Sequence, residues 1–218
     1  MSYSEQEEVR REKLRKIIAL GINPYPAELF PVSHLSSEIK GNFESSKKVS
    51  VAGRIMSRRI QGKASFAEIQ DSEGKIQLYF NRDEICKYDD KSLYNEVYKK
   101  LLDIGDIIGV TGILFKTKVG EKTVQVEEFK ILSKSIRPIP IPKTDSDGNI
   151  YDEFKDPELR YRQRYVDLIL NPDVKKTFIK RTKITNSIRE FFNTKGYLEV
   201  ETPVLQPIPG GAQARPFI

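Results

Sequence analysis

The chain has 218 residues, with 37 Lys and Arg against 31 Asp and Glu, for a formal net charge of +6. That length suits one large domain or two modest ones and is too long for a single small barrel. Cys86 is the only cysteine, which excludes an internal disulfide and a thiolate metal cluster, and His34 is the one residue around which a Ser–His pair could be built. The basic excess leans toward a polyanionic partner without deciding for one. The first residues are charged, with no apolar stretch of signal length and no segment able to span a membrane, so the expected compartment is the cytoplasm.

Ser4 followed by Glu7 reads as a capping box, and Gly21 with Pro24 as a helix stop, which predicts a helix from about Ser4 to Leu20. One side carries Val9, Leu14, Ile17 and Ile18, the other Arg10, Arg11, Lys13, Arg15 and Lys16. Two readings of the basic side stay open: an ordinary solvated face, or a track along RNA phosphates. Residues 22–47, rich in Pro, Ser and polar residues, read as a connection with one short helix.

From Lys48 the apolar period becomes two. Val49, Val51, Gly53 and Ile55 alternate with Ser50, Ala52, Arg54 and Met56 in a first strand. Ala64 to Gln70 makes a second strand and Lys75 to Phe80 a third, joined by the turn Asp71-Ser-Glu-Gly74. Ser92 caps a short helix through Leu102, and Gly105-Asp106 opens a fourth strand to about Lys116. The turn at Lys118–Glu121 leads to a fifth strand ending near Leu132. Three strands, a helix and two more strands are the order of a five-stranded antiparallel OB-fold barrel. The fold class is α+β.

Ile136-Arg-Pro-Ile-Pro-Ile-Pro142 is a stiff extended linker, followed by a polar turn from Asp145 to Asn149. Asp156-Pro157 then pairs an N-cap with a proline at the first helical position, starting a helix to about Leu168. A long helix follows Asn171-Pro172, with Val174, Phe178, Ile184, Ile188 and Phe191 or Phe192 on one side and Gly196 past its end. Tyr197 to Leu205 alternates as a strand. The expected organisation is an N-terminal helix and connection over 1–47, an OB domain over 48–135, a linker over 136–155 and a second domain from 156 to 218.

On the second and third strands Ser65, Ala67, Ile69, Ile76, Leu78 and Phe80 take the inward phase, and Phe66, Glu68, Gln70, Gln77 and Tyr79 the outward one. Phe66 is anomalous as a large aromatic on the polar face, near Gln77 and downstream of Arg58 and Arg59. In an OB barrel this is the face along which single-stranded nucleic acid lies. Phe66 is placed either to stack a base or to pack beneath a loop. Stacking ignores base identity, so Gln77 and Arg59 would supply specificity. Glu121 opens the fifth strand and is either a discriminating contact or a surface residue. Lys63, Lys116, Lys118 and Lys122 are candidate phosphate contacts that could equally be solvated.

Arg58-Arg-Ile-Gln-Gly-Lys-Ala-Ser-Phe66, Gly74-Lys-Ile-Gln77, Gly105-Asp106, Leu114-Phe-Lys-Thr-Lys118, Arg160-Tyr-Arg-Gln-Arg-Tyr-Val-Asp-Leu168, Gly196-Tyr-Leu-Glu-Val-Glu-Thr-Pro203 and Pro209-Gly-Gly-Ala-Gln-Ala-Arg-Pro-Phe217 stand in the order and spacing of a known family. Together they resemble the bacterial-type class II lysyl-tRNA synthetases. The resemblance implies that Phe66 stacks on the central anticodon uridine, that Arg59 and Gln77 hydrogen-bond it, and that Glu121 contacts the neighbouring uridine. It implies that the helix from Lys175 through Phe192 and the strand ending at Pro203 are motif 1, with Phe191, Phe192 and Pro203 in a homodimer interface. Gly211 matches the glycine whose backbone approaches the lysine substrate.

The partners so implied are tRNA-Lys, lysine and ATP, with Mg2+ as the further cofactor of the full-length enzyme. The chain ends at Ile218, and the ATP-gripping arginine of motif 2 and the magnesium-holding acids of motif 3 would come later. On this reading the chain holds no catalytic residue and binds no cofactor by itself. Two alternatives stay in view: a stand-alone OB module for single-stranded RNA, and an aspartyl- or asparaginyl-tRNA synthetase. The second domain argues against the first, and the string Gly210-Gly-Ala-Gln-Ala-Arg-Pro-Phe217 against the second.

Overall fold

The structure, a computed structural model, describes residues 3–145, 150–151 and 153–205. Its backbone separates into two compact units, Met1–Ile139 and Pro140–Ile218. In the first, α1 (Glu5–Ala19) and α2 (Ser36–Gly41) precede β1 (Lys48–Gln61), β2 (Ala64–Gln70) and β3 (Lys75–Asn81). The short α3 (Arg82–Ile85) and α4 (Leu93–Leu101), a π-helical segment, lead to β4 (Ile107–Lys116) and β5 (Lys122–Ser133).

The five strands close into a barrel in the order β1-β2-β3-β5-β4. This is the expected OB topology with one correction. β3 and β5 pair in parallel, whereas the other strand pairs are antiparallel. The reason is connectivity: after β3 the chain crosses the barrel end through α4 and runs up β4, so the returning β5 meets β3 in the same direction. Inward residues of all five strands fill one core, with Ile55, Ile69, Leu78, Phe80, Ile108, Leu114, Val124 and Val126 fully buried or nearly so. Gly112 marks the tightest strand contact, where an added Cβ would collide with the Gln125 carbonyl oxygen.

Helices seal the barrel. α4 sends Tyr94, Val97, Tyr98 and Leu101 inward, and Tyr98 stacks on Phe80 with centroids 4.1 Å apart. Ser92 is not the side-chain cap expected of it; it sits in the helical conformation, and Asp90 accepts its backbone N–H instead. Arg58 satisfies the other end, donating to the carbonyls of Tyr98 (2.7 Å), Leu102 (2.8 Å) and Lys99 (3.2 Å). α2 docks through Ser36, whose N–H and hydroxyl both donate to the Asp71 carboxylate in the β2–β3 turn. Burial alone would push the Asp71 pKa up, but hydrogen bonds from Ser36, Glu73 and Gly74 outweigh it and hold the group below the usual aspartate value.

α1 starts where expected, with the Ser4 hydroxyl accepting the Glu7 N–H at 3.3 Å. It buries Ile17 in the shared core. Part of its basic side is engaged within the fold. Arg10 donates to the carbonyls of Ile104 (3.0 Å) and Ser135 (3.2 Å), Lys13 meets Asp103 at 2.5 Å, and Arg11 and Lys16 pair with Glu7 and Glu12. Arg10 and Lys13 therefore fasten the helix to the barrel.

Beneath that contact lies a buried charge cluster. The Lys134 ammonium is fully enclosed and reaches Asp103 at 2.6 Å and Asp106 at 2.8 Å. Asp106, also enclosed, accepts the backbone N–H groups of Asp103 and Ser135, both at 2.8 Å. Every charge in the cluster has a partner, which is the condition for tolerating it in a dry interior.

In the second unit a two-stranded ribbon, β6 (Lys143–Thr144) with β7 (Ile150–Tyr151), precedes three helices. The single helix expected from Asp156 to about Leu168 is two: α5 (Pro157–Arg162) and α6 (Arg164–Leu170), broken at Gln163. Asp156 caps the first by accepting the Leu159 N–H at 2.8 Å. Within α6, Asp167 is buried and gathers Arg160 (2.9 Å), Arg164 and Asn171 (2.7 Å). Burial works against its charge, but Asn171 and Arg160 prevail and keep its pKa low. α7 (Pro172–Thr194) is the long helix expected.

The strand expected from Tyr197 to Leu205 is absent. Residues 197–205 carry no regular structure, and Leu198, Val204 and Leu205 are about nine-tenths exposed. A strand needs a neighbour to take its backbone N–H and C=O groups, and no described residue pairs with this segment.

Candidate nucleic-acid interface

β1 carries the detail on which the site depends. Up to Ile55 its odd-numbered residues face the core. Ile55 then pairs with Ile69 but Ser57 pairs with Glu68, which leaves Met56 as an extra residue in the strand. This bulge reverses the phase. Arg58 turns toward α4, and Arg59 comes to the outer face opposite Phe66. Without it, Arg59 would fall in the inward phase.

On β2 and β3 the inward and outward assignments hold throughout: Ser65, Ala67, Ile69, Ile76, Leu78 and Phe80 are buried, and Phe66, Glu68, Gln77 and Tyr79 are part-exposed. Phe66 is not sealed in the interior. It leans on Tyr79 with centroids 5.1 Å apart, and Tyr79 meets Phe115 edge-on at 5.8 Å. The row stiffens Phe66 while leaving ring surface free. Tyr79 and Phe115 both lie in the outward phase of their strands, but only Phe66 drew notice as an anomaly in the sequence.

Arg59, Phe66 and Gln77 line one concavity of about 340 Å³, together with Ser57, Arg58, Ala67, Glu68, Thr117 and Val119. The last two come from the β4–β5 turn, where Gly120 adopts φ +85° and its N–H closes back on the Thr117 carbonyl at 2.8 Å. Val119 at the tip is 90% exposed. Glu121 is exposed on the same turn and does not line the concavity; its backbone N–H donates to the Thr117 hydroxyl. Glu68 is neutralised by Lys75 at 2.9 Å. Two arginines complete the lining: Arg58, whose guanidinium is taken up by the α4 carbonyls, and the exposed Arg59, which has no ion-pair partner among the described residues.

The four lysines differ. Lys118 is exposed at the turn and Lys63 is exposed between β1 and β2. Lys116 and Lys122 flank the ring of Phe43, at 5.4 and 5.7 Å from its centroid, and Lys122 also donates to the Lys40 carbonyl. His34 bonds to Ser33 through Nδ1 at 2.8 Å. Gly211 and the string around it lie outside the described residues.

Comparison with known proteins bears on both units. An OB-fold nucleic acid binding domain model matches residues 49–132, and a model of class II tRNA synthetases (D, K and N) matches residues 156–218. A lysine–tRNA ligase of Christiangramia forsetii is 66% identical over 215 residues, covering 99% of the chain and 38% of that protein. The chain is homologous to the lysine–tRNA ligases. One from Porphyromonas gingivalis is 57% identical over 100% of the chain and 38% of its own length, and one from Thermoanaerobacter pseudethanolicus 53% identical over 96% and 40%. The chain thus spans 38–40% of the length of these ligases.

α7 has an exposed apolar side. Ile184, Ile188, Phe191 and Phe192 are each roughly half exposed, and Phe192 meets Phe191 and Tyr197 edge-on at 5.6 and 5.5 Å. Pro203 is exposed and lies outside any strand. Among the described residues no helix is long and apolar enough to cross a membrane, and no three acidic, His or Cys side chains gather to hold a metal.

Proposed function

We propose that the chain is the tRNA-reading portion of a cytoplasmic lysine–tRNA ligase and that the concavity on its barrel holds the anticodon of tRNA-Lys. The observation that carries this reading is the convergence of Arg59, Phe66 and Gln77, from three different strands, on one open concavity. An unpaired uridine turned out of the loop lays its ring on Phe66, which Tyr79 supports from behind. Base–aromatic stacking of this kind is worth about 1–3 kcal/mol. Arg59 and Gln77 hydrogen-bond the base edge, and Glu121, on the adjoining turn, meets the neighbouring nucleotide. Lys118 and Lys63 meet phosphates at the rim, adding affinity without sequence preference.

In the whole enzyme this domain holds the tRNA while lysine is activated with ATP and Mg2+ and passed to the tRNA end, with Gly211 against the lysine. The exposed apolar side of α7, with Phe191, Phe192 and Pro203, meets the same surface of a second copy in a homodimer, since a C2 interface is self-complementary.

Fluorescence anisotropy with labelled stem-loops bearing lysine, asparagine and aspartate anticodons tests the reading. Tightest binding to the lysine loop is expected. Equal binding to all three would reduce the barrel to a general single-strand binder.

A further inference from the structure

We infer that Thr123 is a positioning residue of the concavity: its hydroxyl fixes which end of the Gln77 carboxamide faces the bound base, and so sets a preference for a carbonyl oxygen over an amino group. The inference rests on the proposal that this concavity reads an anticodon base. Thr123 is fully buried at the start of β5 and is the direct neighbour of Gln77 in the parallel β3–β5 register. Its Oγ1 lies 2.8 Å from Gln77 Oε1 and 3.2 Å from the Glu121 carbonyl oxygen.

A hydroxyl has one proton to give. The Glu121 carbonyl oxygen, which also accepts the Thr117 N–H at 3.0 Å, is the more distant of the two acceptors, so the proton goes to the nearer Gln77 oxygen. That leaves the amide nitrogen, with its two N–H groups, as the end offered to a ligand. To turn over, the amide would have to move the proton onto the more distant Glu121 carbonyl. Arg59, the other polar group aimed at the base, also brings only donors. The carboxylate among the lining residues, Glu68, is held by Lys75.

A pyrimidine whose C4 faces the Gln77 amide must present an acceptor there. Uracil has an oxygen at C4, whereas cytosine carries an amino group there, a donor set against donors. A Gln77 free to turn over would accept from that amino group and lose the distinction. Thr123 keeps it from doing so.

The test uses the 218-residue chain and two stem-loops that differ only in U or C at the middle anticodon position. The wild type should prefer U. Thr123→Val, nearly isosteric but lacking the hydroxyl, should lower the U/C ratio by about tenfold, the discrimination one hydrogen bond supports. Thr123→Ser should restore it. Gln77→Ala should lower the ratio similarly, and adding Thr123→Val to it should change nothing further, because the two act through one contact.

If Thr123→Val fails to fold, Thr123→Ala carries the same expectation with less buried volume at stake. A wild-type ratio in the hydroxyl-free variant, or additive losses in the double variant, overturns the positioning role and leaves the anticodon reading intact. A wild type that binds neither loop, or binds both equally, overturns the anticodon reading and the inference with it.

Discussion

Arg59 stands directly across the β1–β2 ladder from Phe66, and it does so because Met56 is one residue too many for strict pairing. Cross-strand partners share a face, with Cβ atoms about 5 Å apart, so the bulge converts an inward-phase arginine into a companion of the outward aromatic. The ring, the guanidinium and the amide of Gln77 then surround one space.

Removing the ring should remove the stacking and little else. Phe66→Ala is expected to weaken binding of a lysine-anticodon stem-loop by about 1–3 kcal/mol, and Phe66→Trp to preserve it. The partial exposure of Phe66 predicts a melting temperature close to wild type for both. Unchanged RNA affinity in Phe66→Ala would take the residue out of the site.

The basic residues should divide by position. Lys118 is exposed beside the concavity, whereas Arg10 is spent on the carbonyls of Ile104 and Ser135. Lys118→Ala is expected to weaken RNA binding and flatten its salt dependence by about one unit of log–log slope. Arg10→Ala should lower the denaturation midpoint and leave the slope alone. The reverse result would restore α1 as an RNA track.

How much of this was legible in the sequence depends on whether the signal was local. Period-two alternation, with the turn residues at Gly105-Asp106 and Lys118–Glu121, located all five barrel strands, because a strand presents one face to the core and one to solvent. The alternation describes the first strand only through Met56; the bulge there breaks the pattern, and Ser57–Gln61 continue β1 by pairing with β2. The parallel β3–β5 pairing is a property of the route between strands, which no residue pattern carries. The engagement of Arg10 and Lys13 depends on groups some 90 or more positions away, Asp103 and Ile104. For the site, phase alone put Phe66 and Gln77 on one face, but Thr123 reads as one more apolar-compatible β-branched residue until its hydroxyl is seen against Gln77.

The enclosed Lys134 cluster should be costly to break from one side. Lys134→Met leaves Asp106 buried without its cation and is expected to destabilise the barrel by about 3–5 kcal/mol in urea unfolding. Asp106 must lose its charge for the loss to shrink, so adding Asp106→Asn should recover part of it. Additive losses would mean that the two groups are not energetically coupled.

Acid should loosen the barrel at defined carboxylates. Asp71 is held below its ordinary pKa against burial by Ser36, Glu73 and Gly74, and Asp103 likewise by Lys13 and Lys134. A folded pKa below the unfolded one means that the stabilisation is complete above the usual aspartate value of about 3.9 and is lost as pH falls through the lower folded values. The urea midpoint of Asp71→Asn should therefore lie below wild type at pH 7 and converge on it in strong acid. Parallel curves across that range would remove Asp71 from the account.

Self-association should run through α7. Phe191→Ser together with Phe192→Ser is expected to shift the chain toward monomer in sedimentation velocity, without changing stem-loop affinity. A wild type that stays monomeric at high concentration would set the homodimer aside for this chain.

The most direct test of the central claim is NMR titration of the isotope-labelled chain with a lysine-anticodon stem-loop. The account predicts the largest shift changes at Arg59, Phe66 and Gln77, with contacts between the Phe66 ring protons and a single uridine. Perturbations centred on α1 or any other surface, with the Phe66 ring unmoved, would contradict it.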